Sequence, residues 1–465
     1  MREFSKAFLW GAAASAPQTE GHSLENGKSA STWDEWFKLA PEKFNEQQGP
    51  SDTSNVYEEY GKDIQRMKEL GMNSYRTSIA WTRLLPDGRT VNPEGAAFYK
   101  AYFSELKANG VEPIINLFHF DLPWWLMEKG GWEIRESVEA FAFYAKTAFE
   151  LFGDTVKYWT TFNEPLVHIE CGYLYGFHYP AIVDFKKAVQ VGYHTLMAHV
   201  RAVEEFRKLQ IENGQIGIIL NISPAYPKSQ SSEDLKAKEL ADLFNTNSFL
   251  DPAVHGEIPE KLITILKEHE LTPVTETQDK ELMRQNTVDF IGLNYYQPRR
   301  VQAPTTVHFP AEMPSDFYIP YDMPGKRINP YRGWEIYPEA LYDVAVMMKE
   351  QYRNIPWYVS ENGMGVAEEE RFMDEQGMIQ DDYRIEFMKE HLRELHRGIA
   401  EGSNCFGYHT WTFVDCWSWL NGYRNRYGFY RVNLDNHFER SLKKSGLWYK
   451  ELIEKNGFLD KQLDN

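Results

Sequence analysis

Cysteine is scarce in this sequence. Its 465 residues include three cysteines, Cys171, Cys405 and Cys416, and none of them forms a C-x-x-C pair. This spacing argues against a disulfide framework and against a cysteine-ligated zinc site. The sequence also lacks any run of 18 apolar residues, so it contains no candidate membrane-spanning helix.

Positive charge is also in short supply. Asp and Glu number 68 against 50 Lys and Arg, which gives a formal net charge of −18. A nucleic-acid-binding protein normally carries the opposite sign, so we expect no nucleic-acid partner. The acidity suits a soluble protein in a crowded cytoplasm. An anionic substrate then has to be held by a local cationic or hydrogen-bonding patch, against the overall field.

The N-terminal stretch MREFSKAFLWGAAASA combines basic residues with a short apolar run that ends in small residues. A signal peptide needs a longer unbroken apolar run, so residues 8–14 are predicted to form a first buried strand instead. Aromatic residues are abundant at 15% of the chain. Their flat rings suit a large core or a sugar-binding site, and composition alone favours the core.

The chain alternates short apolar strands with amphipathic helices. Predicted strands are 8–13, 73–79, 112–118, 155–162, 216–221, 288–294, 356–360 and 405–411, and predicted helices include 55–70, 94–109, 136–151, 186–208, 338–352 and 381–401. Eight such repeats without a linker predict an α/β fold, a single (β/α)₈ TIM barrel over residues 1–465. The Pro-rich segment 303–335 is expected to be a long loop over one mouth of the barrel.

Active sites of such barrels lie at the carboxyl ends of the strands. Polar or aromatic side chains that follow the apolar runs are therefore the candidates: Gln18, Arg76, His119, Asn163, Glu164, Asn294, Tyr296, Glu361 and Trp411. Two of them, Glu164 and Glu361, are carboxylates and follow the fourth and seventh predicted strands. An isolated Glu in such a position more often caps a helix or forms a salt bridge.

Several stretches resemble glycoside hydrolase family 1, and the likeness runs nearly end to end. The stretches are FLWGAAASAPQTEG (8–21), YRTSIAWTRLLPDG (75–88), FHFDLPWWL (118–126), WTTFNEP (159–165), DFIGLNYY (289–296), YVSENG (358–363) and WTFVDCWSWLNGYRNRYGFYRVN (411–433). TFNEP and a later ENG about 200 residues apart form a specific combination, although either motif alone would be weak.

The resemblance implies retaining hydrolysis of a β-glycoside. Glu164 is then the acid/base and Glu361 the nucleophile, which requires two carboxyl groups roughly 5 Å apart with unlike protonation states. Tyr296 is expected to hydrogen-bond Glu361 and keep it ionised, and Arg76 to do so by charge. The same resemblance implies a substrate-binding set, namely Gln18, His119, Asn163, Asn294, Trp334, Trp411 and Trp419. His119 and Trp411 also suit ordinary core packing.

The stretch DCWSWLNGYRNRY (415–427) bears on the substrate. Family members that act on plain sugars usually carry Glu where this chain has Ser418, and that carboxylate would repel a 6-phosphate. The branch that hydrolyses 6-phospho-β-glycosides has Ser there, followed by Lys and Tyr at the places of Asn425 and Tyr427. The missing lysine removes a cation, and Arg424 and Arg426 are the candidates to replace it. Arg424 is preferred, because Arg426 falls within an RYG stretch common to the family. The predicted phosphate-binding residues are thus Ser418, Asn425, Tyr427 and Arg424.

The resemblance therefore implies a cytoplasmic 6-phospho-β-glucosidase that acts on phosphorylated disaccharides or aryl glucoside phosphates. Three alternatives stay open: a 6-phospho-β-galactosidase, which Trp419 favours, a β-glucosidase for unphosphorylated sugars, which Asn425 favours, and a non-catalytic sugar-binding protein on the same fold. No HExxH motif or clustered ligand spacing occurs, so no metal or organic cofactor is implied. No membrane partner is expected, and a homodimer is the default among soluble oligomers.

Overall fold

The computed structural model describes residues 2–459 and contains a closed barrel of eight parallel strands. We number these barrel strands β1 (Leu9–Ala13), β2 (Ser74–Ser78), β3 (Glu112–Phe118), β4 (Tyr158–Asn163), β5 (Gln215–Asn221), β6 (Phe290–Asn294), β7 (Trp357–Asn362) and β8 (Cys405–Trp411). Each strand pairs in parallel with the next along the chain, and β8 closes the barrel on β1. The predicted TIM barrel is confirmed.

Helices cover the outside of the barrel. The longer ones are Thr32–Leu39, Val56–Glu69, Pro93–Ala108, Glu136–Phe152, Phe185–Leu209, Ser232–Asp242, Ser248–His255, Glu260–Glu268, Asp279–Gln285, Glu339–Gln351, Asp382–Ala400 and Lys444–Glu454. The six helices predicted from the sequence all form. No helix within residues 2–459 combines the length and the apolar character that a membrane crossing requires.

Local sequence explains where the longest helix begins. The side chain of Asp184 accepts a hydrogen bond from the backbone N–H of Lys187 across 2.9 Å, which caps the first turn of Phe185–Leu209. Arg207 and Lys208 lie in its last turn, where positive charge complements the helix dipole. Its buried face packs against Glu136–Phe152, so both helices stay fixed behind β4.

The interior of the barrel changes from apolar to polar along the strands. A cluster at the amino-terminal ends of the strands fills the lower interior with Leu9, Ile114, Tyr158, Phe290, Tyr358 and Phe406. Above it lie buried polar pairs, including Ser74 with His409 at 2.8 Å and Thr160 with Asn116 at 3.0 Å. The lower interior is therefore a packed core, and polar groups concentrate toward the upper mouth.

The segment 303–335, predicted as a long irregular loop, contains short strands. Ile328–Asn329 pairs antiparallel with Trp334–Glu335, and we call this unit the 328–335 hairpin. The side-chain amide of Asn329 donates to the carbonyl of Gly365 across 2.9 Å. The hairpin is thus tied to the chain that follows β7.

The chain after β8, residues 412–430, is held by a buried charge network. Asp415 accepts from Lys443 across 2.8 Å and from the backbone N–H of Gly428 across 2.9 Å. Lys443 also pairs with Glu369, which pairs with Arg384. These contacts fix both ends of the stretch that carries the predicted phosphate-binding residues.

Candidate active site

Glu164 comes directly after β4, where the strand becomes irregular. The pairing of β4 with β5 shifts register between Thr160 and Asn163. Glu164 itself has left-handed backbone geometry with φ 49°, and its N–H donates to the carbonyl of Ile219 across 2.9 Å. Non-glycine residues rarely adopt this conformation outside constrained sites. The side chain reaches Asn294, whose amide nitrogen donates to Oε1 across 2.9 Å.

Glu361 lies in β7, in register with Asn294 of the neighbouring β6 after a second irregularity in pairing. Arg76 of β2 donates from Nη2 to Glu361 Oε1. Tyr296 donates its hydroxyl to Glu361 Oε2 across 2.6 Å. Both carboxylate oxygens are therefore held by donors, which fixes the side chain in one orientation.

Arg76 is fully buried and connects several parts of the site. It also donates to the carbonyl of Ala14 across 2.9 Å and to Ser360 across 3.3 Å, and its guanidinium lies over the ring of Trp411 at 5.8 Å. Burial opposes the charge of Arg76, but Glu361 outweighs this effect and raises the pKa of the arginine. A permanent positive charge is thus supplied beside Glu361.

The environment of Glu164 favours its protonated form. Burial is the main cause that raises its pKa to about 8, and the negative charge of Glu361 raises it further, while Asn294 and Arg76 act in the opposite direction. The side chain keeps partial exposure toward the mouth. One carboxyl group therefore stays protonated at neutral pH while its neighbour lies against a guanidinium, and such a pair can divide acid and base roles.

Most of the predicted sugar-binding residues line one wall of the mouth. The ring of His119 stacks between Trp411 and Trp419 with centroid separations of 6.0 and 6.1 Å. Asn163 lies within 3.4 Å of His119 Nε2, and its Oδ1 accepts from Asn294 across 3.0 Å. Burial, with a contribution from the charge of Arg76, holds the pKa of His119 well below its ordinary value. The imidazole is therefore neutral and suited to hydrogen bonding with hydroxyls.

The remaining predicted contacts flank this wall. Gln18 is buried and donates to the carbonyl of Trp417 across 2.9 Å. Trp334, on the 328–335 hairpin, packs against Tyr296 with ring centroids 5.3 Å apart. Trp334 thus reaches Tyr296 from a segment outside the barrel.

The predicted phosphate-binding residues separate into two groups. Ser418, Asn425 and Tyr427 are buried, and Tyr427 packs with Trp411 and Tyr296. Arg424 is exposed and lines an outer groove with Glu46 and Glu368. Arg424 precedes the short strand Asn425–Arg426, and it is exposed while Asn425 is buried. This geometry argues against the expectation that Arg424 replaces the missing lysine.

Sequence reasoning missed three contributors to the site. Ser360 accepts from Arg76, Asp121 accepts from the backbone N–H of His119 across 3.0 Å, and Trp33 stacks on Trp419 at 4.4 Å. The first two lie one or two residues from predicted site residues, which was the available signal. Trp33 belongs to a helix far away in sequence, and nothing local indicated its contact.

Comparison with known proteins identifies the family. The sequence model of glycosyl hydrolase family 1 matches residues 1–458. The chain belongs to glycosyl hydrolase family 1. It is therefore a glycoside hydrolase, and the implication drawn from TFNEP and ENG is confirmed at that level.

Individual members of family 1 match along nearly their whole length. The 6-phospho-beta-glucosidase GmuD of Bacillus subtilis (strain 168) is 53% identical over 458 residues, with 98% of each chain covered. Beta-glucosidase A of Acetivibrio thermocellus is 36% identical over 456 residues, covering 98% of this chain and 99% of that one. The solved family 1 β-glucosidase from Thermotoga maritima superposes with a TM-score of 0.90 at 33% identity, covering 99% of each chain.

Within residues 2–459 of this family 1 protein, no group of three or more His, Cys, Asp or Glu side chains is placed to hold a metal ion. The polar groups of the mouth instead form a continuous hydrogen-bonded set around two carboxyl groups. That arrangement suits acid–base and nucleophilic chemistry by carboxyl groups.

Proposed function

We propose that this chain hydrolyses 6-phospho-β-D-glucosides with retention of configuration at the anomeric carbon. The observation that carries the proposal is Ser418, which occupies the place where family members acting on plain sugars usually hold Glu. Its hydroxyl makes no hydrogen bond within residues 2–459 and is free to donate to a ligand. The 53% identity to a protein named as a 6-phospho-β-glucosidase, over 98% of each chain, supports the same substrate class.

In the first step, Glu361 attacks the anomeric carbon and forms a covalent glycosyl–enzyme bond. The bond from that carbon to the leaving oxygen breaks, and Glu164 gives its proton to that oxygen. The raised pKa of Glu164, about 8, supports its role as the acid. The donors Arg76 and Tyr296 orient Glu361 for attack.

In the second step, Glu164, now ionised, takes a proton from water. The resulting hydroxide attacks the anomeric carbon, and the bond to Glu361 breaks, which regenerates both carboxyl groups. Asn294 donates to Glu164 in the present geometry and so supports the carboxylate that this step requires. The two steps together invert the anomeric centre twice, hence the retention.

We assign the sugar to the wall that contains His119, Asn163, Trp411 and Gln18. Asn163 adjoins Glu164 in sequence, and we assign it to the 2-hydroxyl, where contacts strengthen in the transition state. Trp334 then lies beside the leaving group and Trp419 beside the sugar's 4-hydroxyl. Arg76 and Tyr296 serve Glu361 rather than the substrate.

The 6-phosphate is assigned to the side of the sugar pocket that holds Ser418, Asn425 and Tyr427. Asn425 and Tyr427 are buried, and each carries a group able to donate a hydrogen bond. A phosphate brings nearly two negative charges near neutral pH, so neutral donors alone leave much of that charge uncompensated.

A plain β-glucosidase remains a second candidate, because Asn425 stands where the phospho branch has lysine and because the Acetivibrio thermocellus relative is named a beta-glucosidase. The deciding experiment compares kcat/KM on four chromogenic substrates: 4-nitrophenyl β-glucoside and β-galactoside, each with and without a 6-phosphate. We expect the phosphorylated glucoside to be the best substrate. A preference for either plain glycoside would refute the proposal, and a preference for the phosphorylated galactoside would correct the epimer.

We further propose that the whole chain acts as one catalytic unit in the cytoplasm, where imported disaccharides phosphorylated at the membrane would meet it. The three cysteines, all unpaired within residues 2–459, support a reducing compartment. A homodimer is proposed only on the general frequency of dimers. Sedimentation at two protein concentrations tests that state directly.

A further inference from the structure

The strongest unexplained feature near the site is Arg332, at the turn of the 328–335 hairpin. Its guanidinium lies over the ring of Trp334 at 4.3 Å. Its Nε atom is buried and has no hydrogen-bond acceptor, and no carboxylate pairs with Arg332 within residues 2–459. A buried donor on a permanent cation normally has a partner, so this one marks a place for an anion.

Other arginines around the mouth are neutralised. Arg76 pairs with Glu361, and Arg300 pairs with Glu335 across 2.7 Å. Arg299 lies 3.8 Å from Glu170. In a chain with a net charge of −18, an arginine beside the site without an acidic partner stands out as an available positive charge.

Arg332 is linked to Tyr427 through two aromatic contacts: the ring of Trp334 that it covers packs on Tyr296, and Tyr296 clusters with Tyr427. Burial raises the pKa of Tyr427, and the positive charge of Arg332 is the largest influence acting against that rise. Tyr427 packs in turn against Trp411 and Tyr296. The cation therefore lies near a predicted phosphate-binding residue, although it comes from a different segment of the chain.

The 328–335 hairpin is anchored next to Tyr427. Asn329 donates to the carbonyl of Gly365, and Gly365 packs so closely on the ring of Tyr427 that a side chain there would overlap it. Two further backbone bonds close the turn, from the N–H groups of Arg332 and Gly333 to the carbonyl of Asn329. The turn carrying Arg332 is thus fixed relative to Tyr427.

We infer that Arg332 binds the 6-phosphate of the substrate and supplies the cation that a lysine at Asn425 would otherwise provide. This inference rests on the proposed function, because it assumes a phosphorylated substrate. Three neutral groups then donate hydrogen bonds to the phosphate, namely Ser418, Asn425 and Tyr427, and Arg332 supplies the positive charge. A guanidinium is well suited to this task because it offers paired N–H donors to phosphate oxygens.

The test compares kcat/KM on 4-nitrophenyl β-D-glucoside 6-phosphate and on the plain 4-nitrophenyl β-D-glucoside. Arg332→Gln is expected to lower the value for the phosphorylated substrate by about a hundredfold, mainly through KM, and to change the plain substrate by less than about threefold. Arg332→Lys keeps the positive charge but lacks the paired N–H donors of the guanidinium, so kcat/KM on the phosphorylated substrate should fall by about tenfold. Arg424→Gln is the matched control and should change neither value, because Arg424 lies in the outer groove.

A rescue variant makes the assignment specific. Asn425→Lys added to Arg332→Gln returns a cation to the pocket from the other segment, and we expect it to recover about tenfold or more of the loss on the phosphorylated substrate alone. Equal losses on both substrates in Arg332→Gln would overturn the inference and place Arg332 at the leaving group. No loss on either substrate would overturn it as well.

The same data separate this inference from the proposed function. If the wild-type chain prefers the phosphorylated glucoside and Arg332→Gln leaves that preference intact, the function stands and the role of Arg332 is wrong. If the wild-type chain prefers the plain glucoside, both are wrong. Circular dichroism and the melting temperature of each variant confirm that the hairpin substitution has left the barrel folded.

Discussion

Asn294 donates a 2.9 Å hydrogen bond to Glu164, although Asn294 ends β6 and Glu164 follows β4, two strands that are not neighbours in the barrel. Asn294 is at the same time the register partner of Glu361. It therefore lies between the two carboxyl groups and fixes one while its backbone adjoins the other. The differing environments of Glu164 and Glu361 follow from this shared position.

The pH profile should report the protonated state of Glu164. Its pKa is raised to about 8, so the proton needed by the leaving group is present below that pH and is lost above it. We expect kcat/KM on the phosphorylated glucoside to fall as pH rises through about 8. Glu164→Gln can be assayed on the 2,4-dinitrophenyl glucoside, because that leaving group needs little protonation. With this substrate, the fall in kcat/KM at alkaline pH should be smaller in Glu164→Gln than in the wild-type chain. An unchanged alkaline limb in that variant would assign it to another group.

Tyr296→Phe removes one donor from Glu361 and keeps the ring. The 2.6 Å bond to Oε2 is lost, so we expect kcat to fall by about ten- to a hundredfold. Glu361→Gln sets the lower limit and should abolish turnover with the fold intact. Full activity of Tyr296→Phe in a steady-state assay, or substantial turnover by Glu361→Gln, would contradict the assignment of the nucleophile.

Ser418→Glu places a carboxylate in the proposed phosphate pocket. Like-charge repulsion should lower the ratio of kcat/KM for phosphorylated over plain glucoside by about a hundredfold or more. Ser418→Ala is the control, since it removes the hydroxyl without adding charge and should reduce the ratio far less. A ratio that stays constant in Ser418→Glu would place Ser418 outside the pocket.

Lys443→Met should destabilise the fold by about 3–5 kcal/mol at neutral pH, because Glu369 and Asp415 then lose a buried partner. Lys444→Met is the matched control: its pair with Asp382 is exposed, and its removal should cost under about 1 kcal/mol. Urea unfolding of the three proteins gives both values, and equal losses in the two variants would refute the idea.

The same network predicts the direction of acid unfolding. Burial alone would raise the pKa of Glu369, but Arg384 and Lys443 outweigh burial and hold that pKa below its ordinary value. A carboxyl whose folded pKa is depressed contributes stability above its unfolded pKa, and this contribution is lost as pH falls. The wild-type chain should therefore lose stability below about pH 4.5 more steeply than Lys443→Met does.

The sequence predicted the barrel well because periodicity and burial act together along each element. All eight strands and six long helices lie near their predicted bounds. Apolar runs such as 112–118 are recognisable because a strand of a parallel sheet is buried on both faces. Short strands in the segment 303–335 were missed. A two-residue ladder such as Ile328–Asn329 has no periodicity to detect and depends on tertiary contacts.

The site was predictable where its residues follow strands and less so where they come from loops. Glu164, Glu361 and Arg76 were found from strand ends, and the structure brings them together. Arg424 was preferred because Arg426 falls within an RYG stretch common to the family, but Arg424 is exposed in the structure. Arg332 could not be predicted, because the position of the hairpin relative to Tyr427 depends on tertiary contacts such as those of Asn329 with Gly365 and of Glu335 with Arg300.

The apolar layer that fills the lower barrel also determines by which route substrate and products reach and leave the active site. Tyr158, Phe290, Tyr358 and Phe406 pack beneath the carboxyl groups, so substrate and water enter, and products leave, through the upper mouth of the barrel. The released aglycone must clear that route before water can approach the glycosyl–enzyme bond from the same side. The closed lower end of the barrel thus sets the order of product release. A leaving group that dissociates slowly would slow the hydrolysis of the glycosyl–enzyme bond.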